Sequence, residues 1–216
     1  MRPIVRSAEP PPFAEWKAKG SSDWQPTWGN FQGPEKPQVL ETLMRDQGFV
    51  CCYCERRVSV RNVHIEHLQS RHAAPHLALE FANFLACCQR ELPKEIKAPV
   101  HCGHLKGDKP LDVHPLMRDS RAFFIFDSEG GIRPSDDPAR SGAAQRAIET
   151  LGLGISKLSA MRRGAIDGAI ALLEEGASAE ELIELMDSKD AGGHYTPFAS
   201  AVVQFLVTYS SPAQAM

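Results

Sequence analysis

The 216-residue sequence predicts an α+β fold, mostly helical, in which a small metal-pinned core lies between an extended N-terminal segment and a helical C-terminal region. Three observations carry this. All six cysteines fall between residues 51 and 102, where β-branched residues alternate through Val58, Val60 and Val63. Beyond residue 135, apolar residues recur at helical spacing. Residues 1–37 are crowded with Pro, Trp and Gly, as in PPPF, WQPTWGN and FQGPEKP, a composition that suits an irregular segment draped over a domain. The expected organisation is 1–47 as an extended segment plus short helix, 48–110 as the core, and 111–216 as a hairpin and helical region.

In chain order, Trp16, Trp24 and Trp28 are the expected anchors of the N-terminal segment. Residues 36–47, KPQVLETLMRDQ, set Val39, Leu40 and Leu43 on one helical face before a stop at Gly48. GFVCCYCERRVSVRNVHIEHL reads as two short strands with a turn at Arg61-Asn62. LALEFANFLACC reads as a helix, and HCGHLKGD opens another. FFIFDSEGGIRP is hairpin-like, with Gly130-Gly131 at its turn. Leu158, Met161, Ala165, Ile166, Ala169 and Leu172 then recur as on a helix, and residues 180–186 continue the pattern. Phe198, Val202, Phe205 and Leu206 share a helical face, read as core packing or, alternatively, as a docking face.

With 43% hydrophobic and 24% charged residues, the composition is that of a soluble globular protein. No signal-peptide core and no run of eighteen apolar residues is present, so a cytoplasmic chain with reduced thiols is expected. The net charge of −3 argues against a general polyanion-coating protein. Nine basic residues face six acidic ones between residues 48 and 110, so positive charge concentrates where the cysteines and histidines lie. Phosphate contact is expected there.

Cys51 and Cys54 form C-x-x-C, a spacing that lets two thiolates bind one tetrahedral ion. A four-ligand structural Zn²⁺ site needs a second pair, which Cys88 and Cys102 supply if the intervening loop folds back. Cys52 and Cys87 are left for core packing. Between the pairs lie the adjacent Glu66 and His67, followed by Asn83. Phosphodiester hydrolysis needs an activated water and relief of charge on the leaving oxygen, which an imidazole base and a divalent cation supply together. On a strand the two neighbouring side chains diverge, so Glu66 can take the metal while His67 faces the water. Asn83 is placed to bond His67 or the backbone beside it.

CCYCERRV, HIEHLQSRH, NFLACC and HCGHLKGD, in this order, resemble the zinc-supported HNH nucleases, whose ββα-metal motif carries the chemistry. DVHPLMRDSRAFFIFDSEGGIRP and ETLGLGISKLSAMRRGAI resemble, more narrowly, the HNH subunits of Septu-type and retron-associated anti-phage systems. Together these cover about residues 48 to 172. The resemblance implies that Glu66 binds a catalytic Mg²⁺ or Mn²⁺, that His67 is the general base and that Asn83 is the middle asparagine. It also implies DNA as substrate and an ABC/SMC-like ATPase as partner. No G-x-x-x-x-G-K-[ST] occurs, so nucleotide control would come from another chain. The chain departs from the pattern at Gly103, where the last metal ligand is expected. His104 is the first substitute, with His101, Asp108 and His64 as further candidates. Two rival readings stand beside the nuclease. One is a non-catalytic zinc-binding interaction subunit, and the other a thiol-redox protein, which lacks the βαβ setting its motif needs.

Overall fold

A computed structural model describes residues 1–89 and 99–210. The loop between Cys88 and Cys102 and the C-terminal region therefore each lie partly outside the described residues. The elements run α1 (Pro11–Ala18), α2 (Glu35–Asp46), β1 (Val63–His67), β2 (Phe84–Cys88), α3 (Gly103–Lys106), β3 (Phe124–Phe126), β4 (Ile132–Pro134), α4 (Pro138–Leu151), α5 (Ser156–Glu174), α6 (Ala179–Asp187) and α7 (Ala199–Tyr209). β1 and β2 pair antiparallel, with Val63 opposite Cys88 and His67 opposite Phe84. β3 and β4 form the second two-stranded sheet, the hairpin expected around Gly130-Gly131. Together with the cysteine and histidine cluster, this mixed α/β arrangement is consistent with a ββα-metal-like core.

Three local expectations change. The stretch 84–88, read as the end of a helix, is a strand. Its five residues are all buried, and a short run apolar on every side carries no periodicity that separates helix from strand. The strand expected before Arg61-Asn62 is absent, because Cys51–Cys54 turns as a knuckle closed by an isolated bridge between Val50 and Arg57. The N-terminal segment holds a helix, α1, whose buried Phe13 and Trp16 pack in the core. Pro11 and Pro12 sit in its first turn, where the missing N–H groups have no helical partner to lose.

The main core gathers Phe13, Phe31, Val39 and Leu43 around Phe84 and the cysteines. Arg6 reaches across the end of β2 and donates to the carbonyls of Phe81 and Phe84. A second cluster packs α5, α6 and α7 through Ile166, Leu182, Val202 and Leu206, so the apolar face of α7 is core. Asp137 caps α4 by accepting from Ala139 N, and a reciprocal Ser178–Glu181 box caps α6. No helix among the described residues is long and apolar enough to cross a membrane.

Glu55 fastens the knuckle to α7. Its carboxylate is buried, lies 3.2 Å from the α-ammonium of Met1 and accepts from Ser200 N at 3.0 Å. Burial alone would raise its pKa, but the ammonium, Ser200 and Arg2 outweigh it and hold the group at about 2. A carboxyl depressed from 4.5 to about 2 stabilises the fold above its unfolded value, and that contribution is lost as pH falls through the folded value. Glu55→Gln is therefore expected to cost about 3 kcal/mol at neutral pH. In chemical denaturation, the gap between wild type and variant should close as pH falls from 4.5 toward 2.

Candidate nuclease site and metal cluster

The knuckle, the end of β2 and the start of α3 converge on one buried cluster. Among the described residues two overlapping four-donor groups are present: Cys51, Cys87, Cys88 and Cys102, and Cys54, Cys88, His101 and Cys102. Sulfur atoms lie 3.9 Å apart for Cys51–Cys102, Cys51–Cys87 and Cys54–Cys88. The edge of a tetrahedron with metal–sulfur arms of 2.3 Å is about 3.8 Å, so the donor set fits zinc. The expected ligands Cys51, Cys54, Cys88 and Cys102 all enter the cluster, but Cys51 and Cys54 fall in different donor groups that share Cys88 and Cys102. The structure adds Cys87, expected in core packing, and His101, whose Nδ1 lies 3.1 Å from Cys102 Sγ.

Burial pushes the Cys52, Cys54, Cys87 and Cys102 thiols up. Burial opposes ionisation of Cys51 as well, but hydrogen bonds from Cys102, Cys52, Cys54 and Cys87 bring it well down. Several buried thiols cannot ionise together without a cation, and a divalent ion supplies that charge. Burial also draws His101 down to about 4, which keeps its imidazole neutral and able to ligate.

β1 carries the candidate chemistry. Alternation puts His64 and Glu66 on the face that meets α3, and His67 on the opposite face with Phe84. Glu66 divides its two oxygens. Oε1 accepts from Lys106 Nζ at 3.0 Å and from the Tyr53 hydroxyl at 3.3 Å. Oε2 lies 3.7 Å from His64 Nε2. Although burial works against it, hydrogen bonding from His64 and the nearby Lys106 hold Glu66 below its ordinary pKa. A side chain at Gly103 would start 2.8 Å from the Glu66 carboxylate carbon and 3.3 Å from Cys87 Sγ. Gly103 is therefore the space that Glu66 occupies.

His67 is buried between aromatic rings, 4.4 Å from Trp28 and 5.0 Å from Phe84 by centroid, both edge-on. Its Nε2 lies 3.1 Å from the Ala78 carbonyl, which can only accept. Nε2 then carries the hydrogen, and Nδ1 keeps the lone pair. Burial lowers its pKa, so the ring is neutral at neutral pH. Asn83 does not bond the ring. Its side chain accepts from Gln69 N at 2.8 Å and donates to Gln69 O at 2.9 Å, clasping the chain two residues past His67.

Among the candidate second ligands, the structure places His64 beside Glu66. His104 directs Nε2 to the Gln89 carbonyl, with its ring 4.9 Å from that of His64. His101 joins the thiols, and Asp108 lines the cleft that holds Glu66 and His67. Strand alternation was the sequence signal for His64, two residues before Glu66. Lys106, buried and donating to His67 O at 3.0 Å, had no comparable signal. Glu66 Oε2 and His64 Nε2 face each other as a carboxylate–imidazole pair on one side of β1. The buried Nδ1 of His64 has no partner among the described residues.

Two outcomes follow from this geometry. Gly103→Ala should destabilise the fold by about 1–3 kcal/mol in denaturant titration through overpacking. The same change made on Glu66→Ala should cost measurably less, and additive losses would contradict the contact. A Cys88→Ser, Cys102→Ser variant should retain no zinc by metal analysis and lose its cooperative unfolding transition, whereas Cys52→Ser should retain the metal.

No protein-family model matches the chain. Curated relatives do. A Vibrio cholerae protein named "putative HNH endonuclease" of retron Vc95 is 31% identical over 150 residues, covering 67% of this chain and 71% of the relative. Its namesake from retron Ec83 of Escherichia coli is 24% identical over 204 residues, covering 76% of this chain and 78% of the relative. With a buried cysteine and histidine cluster beneath a β1–β2–α3 unit that carries Glu66 and His67, the chain belongs to the retron-associated HNH endonuclease family.

Proposed function

We propose that this protein is a metal-dependent HNH endonuclease that hydrolyses DNA phosphodiester bonds as the effector of an anti-phage defence complex. The observation that carries this reading is the neutral His67, its Nδ1 lone pair kept available by the Ala78 carbonyl, in one cleft with Glu66. His67 Nδ1 takes the proton of an attacking water, and Lys106, bonded to both Glu66 and the His67 carbonyl, holds the two residues at a fixed relation. Glu66 and His64 would hold Mg²⁺ or Mn²⁺, which when bound neutralises charge on the phosphate and the departing 3′ oxygen. The zinc cluster stays structural. Resemblance to Septu-type subunits supports an ABC/SMC-like ATPase partner that restrains the nuclease or delivers its substrate.

A second reading, a non-catalytic zinc-binding interaction subunit of such a complex, is favoured by a specific observation. The thiol cluster is a complete donor set, whereas Oε1 of Glu66 already pairs with Lys106 and Tyr53 and Gly103 offers no ligand. Plasmid nicking with Mn²⁺, with and without an added ABC/SMC-like ATPase, separates the two. His67→Ala should reduce nicking by at least about 100-fold at unchanged zinc content and melting temperature. Equal nicking by both proteins would remove the role of His67. Absence of nicking by wild type under every condition would leave the zinc-binding subunit.

A further inference from the structure

The cleft that holds Glu66 and His67 does not end at the catalytic pair. It shares Trp28, His64 and Ile65 with a second groove, floored by Leu40 with Val60 at its rim, that runs past β1 toward α2. β1 belongs to a two-stranded sheet, so this trough passes along its outer edge. Trp28 is half-buried at the junction. The Lys36 ammonium, which also donates to Gln32 Oε1 at 3.2 Å, lies over its ring 4.9 Å from the centroid, and the Arg71 guanidinium lies over it at 5.1 Å, so these cations stand no more than about 10 Å apart. Arg71 is exposed, and Val60 is 63% exposed at the rim.

We propose that this trough binds an unpaired nucleotide of the strand being cut. Its base packs against Trp28 and the apolar floor, and its flanking phosphates meet Lys36 and Arg71. The inference rests on the nuclease reading for its direction, because it takes the scissile phosphate to lie at Glu66 and His67. The chemistry of the walls selects the occupant. Phosphates and sugars line the outside of a duplex and have no use for an apolar floor, whereas an unstacked base offers a flat apolar face that aromatic platforms accept without regard to sequence. Two cations that rest over one indole supply the charge that a single strand needs, the base displacing them from the ring toward its flanking phosphates.

The test uses full-length protein carrying His67→Ala, so that no substrate is consumed, with fluorescein-labelled (dT)12, (rU)12 and a 12-base-pair duplex in fluorescence anisotropy. Single strands should bind more tightly than the duplex. Val60→Asp, a rim substitution that leaves the core intact, should weaken single-strand binding at least about fivefold, the lower end of what a stacked base contributes. Its effect on the duplex should be small. Lys36→Gln and Arg71→Gln should each reduce the salt dependence of (dT)12 binding by about 0.7 in log–log slope. Tighter binding of (dT)12 or of (rU)12 supports the trough and identifies the strand as DNA or RNA. Preference for duplex, or unchanged oligonucleotide binding by Val60→Asp, overturns it, as does a Val60→Asp chain that binds every oligonucleotide normally but no longer co-purifies with the ATPase. The two readings fail separately. Plasmid nicking with no effect of Val60→Asp on binding removes the trough alone, and Val60-dependent binding by a wild-type protein that never nicks removes catalysis alone.

Discussion

The buried thiol cluster is the interaction on which the remaining geometry depends. Its donors come from three places in the chain: the 51–54 knuckle, the end of β2, and His101-Cys102 immediately before α3. A four-residue helix such as α3 has no independent stability, so its position is set by what holds its ends. Cys102 sits at φ 56°, a backbone conformation that L residues rarely adopt and that costs of order 1–3 kcal/mol. The cluster and the bond from Cys102 N to the Leu151 carbonyl, 2.7 Å, offset that cost. Gly152, the left-handed cap of α4, lies where a Cβ would come within 2.7 Å of Leu105, so the helical region braces α3 from outside.

Once α3 is fixed, its first and last residues act on the same carboxylate. Gly103 yields the volume that Glu66 fills, and Lys106 supplies the cation that holds one oxygen. A residue that looks like a missing ligand in the sequence is thus a steric requirement of the site. Lys106 also bonds the His67 carbonyl, which ties the positions of Glu66 and His67 to a single ammonium. Asn83 and Ala78 complete the support, the former by clasping Gln69 and the latter by fixing the hydrogen of His67 on Nε2.

The N-terminal segment contributes to the site as well as to the core. Trp28 closes over His67 and Phe84, and Phe13 and Phe31 pack beneath it, so residues distant in sequence form one wall of the cleft. Its Pro- and Trp-rich composition reads as an irregular cover, and only packing against β2 shows that the cover includes a helix and an aromatic edge beside an imidazole.

Local spacing alone singled out the candidate site residues. The C-x-x-C pair, the adjacent Glu66 and His67, the Gly130-Gly131 hairpin and the helices after it are properties of a few neighbouring residues, and periodicity reports them directly. Tertiary structure decided everything that depends on pairing between distant segments. Phe84–Cys88 is a strand because β1 is there to pair with it, and nothing inside the five residues says so. Which imidazole meets Glu66 is set by the β1–β2 register and by where the thiols anchor α3. That places His64 beside the carboxylate, sends His101 to the sulfur cluster and turns His104 to a carbonyl. Six of the eight histidines lie between residues 64 and 104, and sequence distance cannot rank them, because the folded separations come from contacts the chain makes only after it closes.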